Sequence, residues 1–145
     1  GFNPDEHLKA IGVANQTTML RGETEEVQRR LKAAMVERFG AASIDQHFRF
    51  FDTICGATKD RQADIGDLQK QGCQAIVVIG GRHSANTVKL AKLVEIQGMP
   101  CFHVETAAEL DFAALARFGT VGVTAGASTP AFLIDEVCAR LEKAA

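Results

Sequence analysis

Short apolar runs alternate along the chain with longer amphipathic stretches. The short runs favour strands, and the stretches of about a dozen residues with apolar positions three or four apart favour helices. The predicted strands span residues 7–14, 48–54, 75–79, 101–104 and 120–123. The alternation predicts an α/β fold of repeated strand-loop-helix units with a mostly parallel sheet. Because ligands of such sheets bind beyond the carboxyl ends of the strands, the loops after the strands become the candidates for function.

Helix limits follow from apolar spacing and from capping residues. We expect Thr24 to cap a helix that Gly40 ends, and Thr106 with Glu109 to form a capping box that opens a later helix. Three predicted helices have these buried positions: Val27, Leu31, Met35 and Phe39; Val88, Leu90, Ala91 and Val94; Leu133, Val137 and Leu141. Ile65 and Leu68 anchor a fourth, more polar helix, and Pro130 suits the first position of the last one.

Composition narrows the class of protein. The 145 residues, 46% hydrophobic and 23% charged, suffice for one domain, or for one domain and part of another. A net charge of −2 argues against binding to nucleic acid or to an anionic membrane, and no apolar run approaches the ~20 residues that span a bilayer. Four cysteines without a CxxC pair indicate a reducing compartment. The chain opens at Gly1 without a signal peptide, so we expect a processed chain or a fragment.

Three polar loops each follow a strand and precede a helix. They are Gln16-Thr17-Thr18, Ser84-Ala85-Asn86 and Ala127-Ser128-Thr129. Their hydroxyls, amides and free backbone N–H groups can bind an anion at the helix N-termini, and Gly80, Gly81 and Gly126 allow the backbone to approach a phosphate. For any single loop, a helix cap is the more common explanation, but three such loops together with Cys55 in one small domain favour a binding site. Neither a Walker loop nor a GxGxxG is present, so nucleotide binding is not indicated.

Cys55 lies where the apolar run around Phe51 gives way to a polar helical stretch. A sulfur near a helix N-terminus is stabilised as thiolate, which is the form that binds metals, although a buried structural cysteine is the common alternative. Cys73, Cys101 and Cys138 are expected to be inert. The scattered histidines make a zinc site improbable, and of these His83, in the glycine loop, could contact a ligand.

Taken together, these motifs resemble 4-hydroxy-3-methylbut-2-enyl diphosphate reductase, the iron–sulfur enzyme that ends the non-mevalonate isoprenoid pathway. The resemblance rests on Asp52-Thr53-Ile54-Cys55-x-Ala57-Thr58-x-x-Arg61-Gln62, on Gly80-Gly81-x-x-Ser84-x-Asn86-Thr87, on Thr124-Ala125-Gly126-Ala127-Ser128-Thr129-Pro130, and on Asn15-Gln16-Thr17-Thr18-Met19. It runs from about Gly12 to near the C-terminus and covers only the C-terminal half of such an enzyme. The family's fold is three similar α/β modules around a central [4Fe-4S] cluster.

The resemblance implies roles for particular residues. Cys55 is the third cluster ligand; Ser84, Asn86 and Ser128 bind the substrate diphosphate; Thr17 is catalytic, beside the substrate's alcohol, and with Thr18 contacts substrate. Ala85 stands where the family usually has a second serine. Residues 1–46 would be the C-terminal part of the second module and 47–145 the third, so the chain would hold about one and a half modules.

The same resemblance implies a reaction, partners and a cellular location. The reaction is the reductive dehydroxylation of a small allylic diphosphate to isopentenyl and dimethylallyl diphosphate. Its partners would be the missing N-terminal half and an electron donor such as ferredoxin or flavodoxin, with no nucleic acid and no membrane. The location would be cytoplasmic in a bacterium, or the plastid in a plant or alga. We expect the chain alone to be inactive.

Two alternatives remain from the residues. A stand-alone phosphate-binding α/β module would use the same loops without a metal cluster, although it has no need of a thiolate at Cys55. A thiol redox protein using Cys55 is weaker, because no resolving cysteine lies nearby in the sequence.

Overall fold

The computed structural model describes residues 1–144, which fold as two compact units. The first unit is Gly1–Ile54 and the second begins at Cys55. Both contain parallel strands and helices, so the predicted α/β class is confirmed. How these units correspond to modules of an enzyme, with a boundary predicted between residues 46 and 47, stays a prediction.

The first unit has a parallel sheet of two strands. Its elements are α1 (Pro4–His7), β1 (Ile11–Ala14), α2 (Arg21–Phe39), a 3₁₀ turn (Ala41–Ser43), α3 (Ile44–His47) and β2 (Phe48–Phe51). The strands pair from Ile11 with Phe48 to Ala14 with Phe51. Their carboxyl ends therefore meet at one edge, where both following loops begin.

The second unit has a parallel sheet of three strands. Its elements are α4 (Gly56–Lys70), β3 (Ala75–Ile79), α5 (Ala85–Ile96), β4 (Cys101–Val104), a 3₁₀ turn (Ala107–Glu109), α6 (Phe112–Leu115), β5 (Val121–Ala125) and α7 (Ala131–Ala144). The strand order is β4-β3-β5, and β3 pairs with β5 from Ala75 with Val121 to Ile79 with Ala125. All five residues of β3 are buried, which is typical of a central parallel strand covered by helices on both faces.

The two faces of this sheet carry separate cores because side chains of a strand alternate in direction. Ile76 and Val78 pack with Ile65 of α4 and with the buried side of α5. On the other face, Val77 and Ile79 pack with the fully buried Val137 of α7. Helices α4 and α5 therefore share one face of the sheet and α7 covers the other.

Several helix predictions are corrected by the structure. Helix α2 begins at Arg21, before Thr24, so Thr24 lies buried inside the helix and its hydroxyl donates to the carbonyl oxygen of Arg21. Met35 is buried as predicted, whereas Val27 and Leu31 are exposed. The capping box is also wrong: the Thr106 side chain makes no cap hydrogen bond, and only a 3₁₀ turn follows it.

Helix α5 confirms most of its predicted pattern. Ser84 caps it, and Leu90, Ala91 and Val94 are buried, but Val88 is 43% exposed and does not join the core. Among residues 1–144, no helix combines the length and the apolar character needed to cross a membrane.

Candidate functional site

Two polar loops of the second unit leave the same edge of the sheet from neighbouring strands. One loop follows Ile79 at the end of β3, and the other follows Ala125 at the end of β5, which is paired with Ile79. The amide of Gly126 donates to the carbonyl oxygen of Ile79 at 2.9 Å, and the Thr129 hydroxyl donates to the same oxygen at 3.0 Å. The structure thus brings the loop of Ser84 and Asn86 beside the loop of Ser128, as the parallel sheet predicts.

Thr87 fills the space between these two loops. It is 1% exposed, and a Cβ on residue 126 would lie 2.2 Å from its Oγ1. A Cβ on residue 80 would lie 2.8 Å from the same atom and 2.7 Å from Oγ1 of Thr129. Glycine at these two positions therefore accommodates the side chain of Thr87, whereas the sequence suggested only an approach of backbone to phosphate.

Ser84 occupies the N-cap of α5, with its Oγ accepting a long hydrogen bond of 3.4 Å from the amide of Thr87. Asn86 follows in the first turn and is half-buried, whereas Ser128 is exposed. A helix N-terminus with free N–H groups and the positive end of its dipole attracts anions. Neutral hydroxyl, amide and backbone donors here can clamp a diphosphate group.

The cationic residue of the β3 loop is turned toward carboxylates. The guanidinium of Arg82 contacts Glu109 at 2.5 Å and Glu105 at 3.5 Å, and its backbone amide donates to Glu105 at 2.6 Å. The hydrogen bond from Arg82 lowers the pKa of Glu109. Nε2 of His103 lies 2.8 Å from the carbonyl oxygen of Gly80. These contacts anchor the loop to β4 and to the segment after it, and His83, the predicted candidate for a ligand contact, is exposed.

Cys55 stands at the N-cap of α4 and is exposed. Its carbonyl oxygen accepts from the amides of Thr58 and Lys59, both at 3.0 Å, which starts the helix. Near the other end of α4, Leu68 packs against Gly122, the second residue of β5. Helix α4 therefore ends at the amino edge of the sheet. Its 15 residues form a helix about 22 Å long, so it begins near the opposite edge, where the polar loops lie.

The other three cysteines are half-buried. Burial raises the pKa of the Cys101 thiol to about 11, with a further contribution from Glu95, and burial also raises the pKa of Cys138. Thiolate is the form that reacts and that binds metal, so these environments agree with the prediction that both are inert. Within residues 1–144, no cluster of three or more His, Cys, Asp or Glu side chains could hold a metal ion.

Thr17 and Thr18 belong to the first unit, in the loop after β1. Thr17 is exposed and Thr18 is half-buried, and a turn from Gln16 to Met19 holds them. The amide of Asn15 donates to Oγ1 of Thr53 at 2.7 Å, so the loops after β1 and β2 are joined at the edge of this sheet. These two threonines and the four site residues of the second unit therefore lie in different compact units.

Two features of the site lack a clear signal in the sequence. Thr87 belongs to the Ser84-x-Asn86-Thr87 motif and lies in the first turn of α5, but nothing in the sequence shows that it contacts the loop after β5. Glu109 was assigned to a capping box, whereas it binds Arg82 in the neighbouring loop. The sequence shows Arg82 in a glycine loop, but it gives no reason to pair this residue with Glu109, which lies 27 positions away.

A comparison with protein families gives a match to the model described as "LytB protein" over residues 3–142, nearly the whole chain. The chain belongs to the LytB family. Its relatives include the protein of Opitutus terrae named 4-hydroxy-3-methylbut-2-enyl diphosphate reductase, 50% identical over 135 residues, covering 93% of this chain and 43% of that protein. The protein of the same name from Gloeobacter violaceus is 41% identical, over 97% of this chain and 38% of its own length. The chain therefore spans under half the length of these LytB relatives.

Solved structures agree with this family membership. A structure of (E)-4-hydroxy-3-methyl-but-2-enyl diphosphate reductase, described as the terminal enzyme of the non-mevalonate pathway, matches with a TM-score of 0.60 and 28% identity, over 97% of this LytB chain and 47% of that one. The reductase structure from Plasmodium falciparum gives a TM-score of 0.74 at 23% identity, over 92% of this chain and 38% of that one, and shows the shared fold. The predicted family resemblance is thus confirmed.

Proposed function

We propose that this chain is the part of a 4-hydroxy-3-methylbut-2-enyl diphosphate reductase that clamps the substrate diphosphate and supplies one ligand to a [4Fe-4S] cluster. The observation that carries the proposal is the meeting of two polar loops at one sheet edge. Ser84 and Asn86 follow β3, Ser128 follows β5, and Thr87 packs between them against Gly80 and Gly126. The names of the LytB relatives support the same assignment.

The loops bind a diphosphate through neutral donors. Hydroxyls of Ser84 and Ser128, the amide of Asn86 and the N–H groups at the start of α5 form hydrogen bonds to phosphate oxygens, aided by the helix dipole. Arg82 does not take this role because Glu105 and Glu109 hold its guanidinium. A fixed clamp on the diphosphate orients the organic end of the substrate, which reduces the entropy lost on reaching the transition state.

Cys55 fits the role of a single cluster ligand. It is exposed at a helix N-terminus on the side of the sheet where the polar loops lie, whereas the three half-buried cysteines do not join it in a metal-binding group among residues 1–144. A [4Fe-4S] cluster is ordinarily held by several thiolates, so the further ligands would come from the length of the relatives that this chain does not cover. When bound, the cluster supplies Lewis acidity and a route for two electrons, which with two protons release the hydroxyl as water.

The remaining assignments complete the proposal. Thr17 holds the substrate alcohol by its hydroxyl and is the catalytic residue of this chain, and Thr18 contacts substrate beside it. An electron donor of the ferredoxin or flavodoxin type supplies the electrons, the N-terminal half supplies the other ligands, and the pathway is isoprenoid synthesis in the cytoplasm or plastid. The chain alone is inactive.

The diphosphate clamp is tested by titrating inorganic diphosphate into the 145-residue chain by calorimetry. Ser84→Ala should weaken binding by roughly 1.5–3 kcal/mol, because a hydrogen bond to a charged group is lost. That corresponds to an increase of about 10- to 150-fold in the dissociation constant.

Thr106→Ala is the matched control, because Thr106 also precedes a helical turn but its side chain makes no cap hydrogen bond. We expect it to bind diphosphate like the unsubstituted chain. Equal dissociation constants, within twofold, for Ser84→Ala and the unsubstituted chain would remove Ser84 from the clamp.

A further inference from the structure

Thr87 is the most enclosed polar residue beside the polar loops. Its side chain is 1% exposed, lies on the first turn of α5, and touches the loops that follow both β3 and β5. Thr129 also contacts both loops, but it does so through a hydrogen bond to the carbonyl oxygen of Ile79. Thr87 contacts them by packing alone, so its size can set the distance between them.

The hydroxyl of Thr87 has no hydrogen-bond partner among residues 1–144. A buried hydroxyl without a partner costs about 1–3 kcal/mol of desolvation. Because it gains no hydrogen bond from the chain, its contribution here is the space that it fills. Thr87 Oγ1 would lie 2.2 Å from a Cβ on residue 126 and 2.8 Å from a Cβ on residue 80, where Thr129 Oγ1 is equally near at 2.7 Å. The space at residue 126 is therefore the one that Thr87 alone defines.

Gly126 shows that the constraint is steric. Its backbone is outside the left-handed region, so an alanine would meet no backbone strain there. The obstacle is Thr87 Oγ1 at 2.2 Å, while the next atoms, Thr87 Cβ and Thr129 Oγ1, lie at 3.3 and 3.4 Å. Shortening residue 87 should therefore make alanine at 126 tolerable, whereas Gly80, with φ of 141°, is constrained by its backbone as well.

We propose that Thr87 is a positioning residue, a spacer that fixes the separation of the loop carrying Ser84 and Asn86 from the loop carrying Ser128 and so sets the affinity for diphosphate. The part about affinity rests on the proposed function. The part about spacing rests on contacts within the second unit alone. Thr87 does not touch the ligand; it acts through the two loops.

The spacing between the two loops is tested without ligand by a double-mutant cycle on the 145-residue chain, with the unfolding temperature as the measured quantity. Gly126→Ala should lower the unfolding temperature by about 5–10 °C through overpacking. In a Thr87→Ala background the same change should lower it by less than half as much. Gly81→Ala is the control: it lies in the β3 loop, its nearest neighbour would be 3.7 Å away, and it should not interact with Thr87→Ala.

The affinity is tested by calorimetry with inorganic diphosphate at a temperature where every variant is folded. Thr87→Ala should weaken binding about tenfold, since a small displacement of binding groups is costly. Thr87→Ser keeps the Oγ that faces both glycines and should restore the affinity to within about threefold. A merely structural role would lower the unfolding temperature of Thr87→Ala and leave its affinity unchanged.

The outcomes separate the two claims. Equal losses from Gly126→Ala in both backgrounds, or an unchanged affinity in folded Thr87→Ala, would overturn the spacer role while leaving the clamp in place. A folded, unsubstituted chain that binds no diphosphate contradicts the proposed function. In that case the double-mutant cycle still decides whether Thr87 spaces the loops.

Discussion

At the scale of single residues, environment distinguishes one cysteine from the others. Cys55 is exposed at the start of α4, whereas Cys101 is half-buried in a strand with the pKa of its thiol raised to about 11 by burial. A thiol is reactive only as thiolate. The exposure of Cys55 and the raised pKa of Cys101 therefore both favour modification at Cys55.

We predict that iodoacetamide at pH 8 alkylates Cys55 at least about tenfold faster than Cys101 in the folded chain. Because the pKa of Cys101 is raised, its thiolate fraction increases with pH up to about 11, and its rate should rise about tenfold per pH unit below that value. Mass spectrometry of peptides over time measures both rates. The chain unfolded in urea is the control, where the two rates should converge; a Cys101 rate that stays flat from pH 8 to 10 in the folded chain would contradict the raised pKa.

How far the sequence predicts the site differs from residue to residue. Ser84 was predicted at a strand-to-helix loop, and the structure confirms it as the N-cap of α5, because a serine beside glycines is a strong local signal. Arg82 was not predicted to pair with Glu105 and Glu109, because that contact depends on the order of β3 and β4 in the sheet. Thr87 lacked a local signal too, since its role depends on Gly126 in a distant loop.

At the scale of elements, the order of the strands was predicted correctly, but the predicted strands 7–14 and 48–54 are shorter in the structure, as β1 (Ile11–Ala14) and β2 (Phe48–Phe51). Helix faces were predicted less well. Strand β3 matches its predicted limits, Ala75–Ile79, since an apolar run between turn residues is distinctive. In helix α2, four-residue spacing suggested that Val27 and Leu31 are buried, yet both are exposed. Spacing defines a helix face, but only the packing of neighbouring elements decides how much of that face is covered.

Helix α5 allows a direct comparison of a covered and an uncovered apolar residue. Leu90 is 2% exposed and packs with Ile76, Val78 and Val94, whereas Val88 is 43% exposed. We predict that Leu90→Ala lowers the free energy of unfolding by about 2–5 kcal/mol, through lost burial and a cavity. Urea denaturation of the 145-residue chain measures the change.

Val88→Ala is the matched control for that experiment, because it shortens an aliphatic side chain in the same helix. Its effect should stay within about 0.5 kcal/mol, as at most surface positions. Comparable losses for the two variants would mean that α5 is packed differently from the arrangement described here.

At the scale of the whole molecule, the chain spans under half the length of its LytB relatives and carries a single exposed cysteine among residues 1–144. A [4Fe-4S] cluster is ordinarily held by several thiolates. We expect that Cys55, as the single proposed ligand of this chain, does not retain a cluster alone. The proposed enzyme is therefore complete only with the remaining length of the protein.

We predict that the chain retains far fewer than four irons after anaerobic reconstitution with iron and sulfide, followed by desalting. Chemical assays of iron and acid-labile sulfide, with the visible absorption spectrum, measure this. Cys55→Ser is the control and should show the same low content. A stable cluster in the unsubstituted chain that is lost in Cys55→Ser would mean that several copies of the chain bind one cluster through Cys55. A cluster that is retained in both would mean that another cysteine is the ligand.

The most direct test of the diphosphate clamp is to follow the backbone amides of the isotope-labelled chain by NMR while inorganic diphosphate is added. We predict saturable shifts of the amides in the loop with Ser84 and Asn86 and in the loop with Ser128, since both loops leave one edge of the second sheet. Amides at the opposite edge, such as Gln74 and Thr120, should stay in place. Saturable shifts confined to other surfaces, or none at millimolar diphosphate, would contradict the central claim.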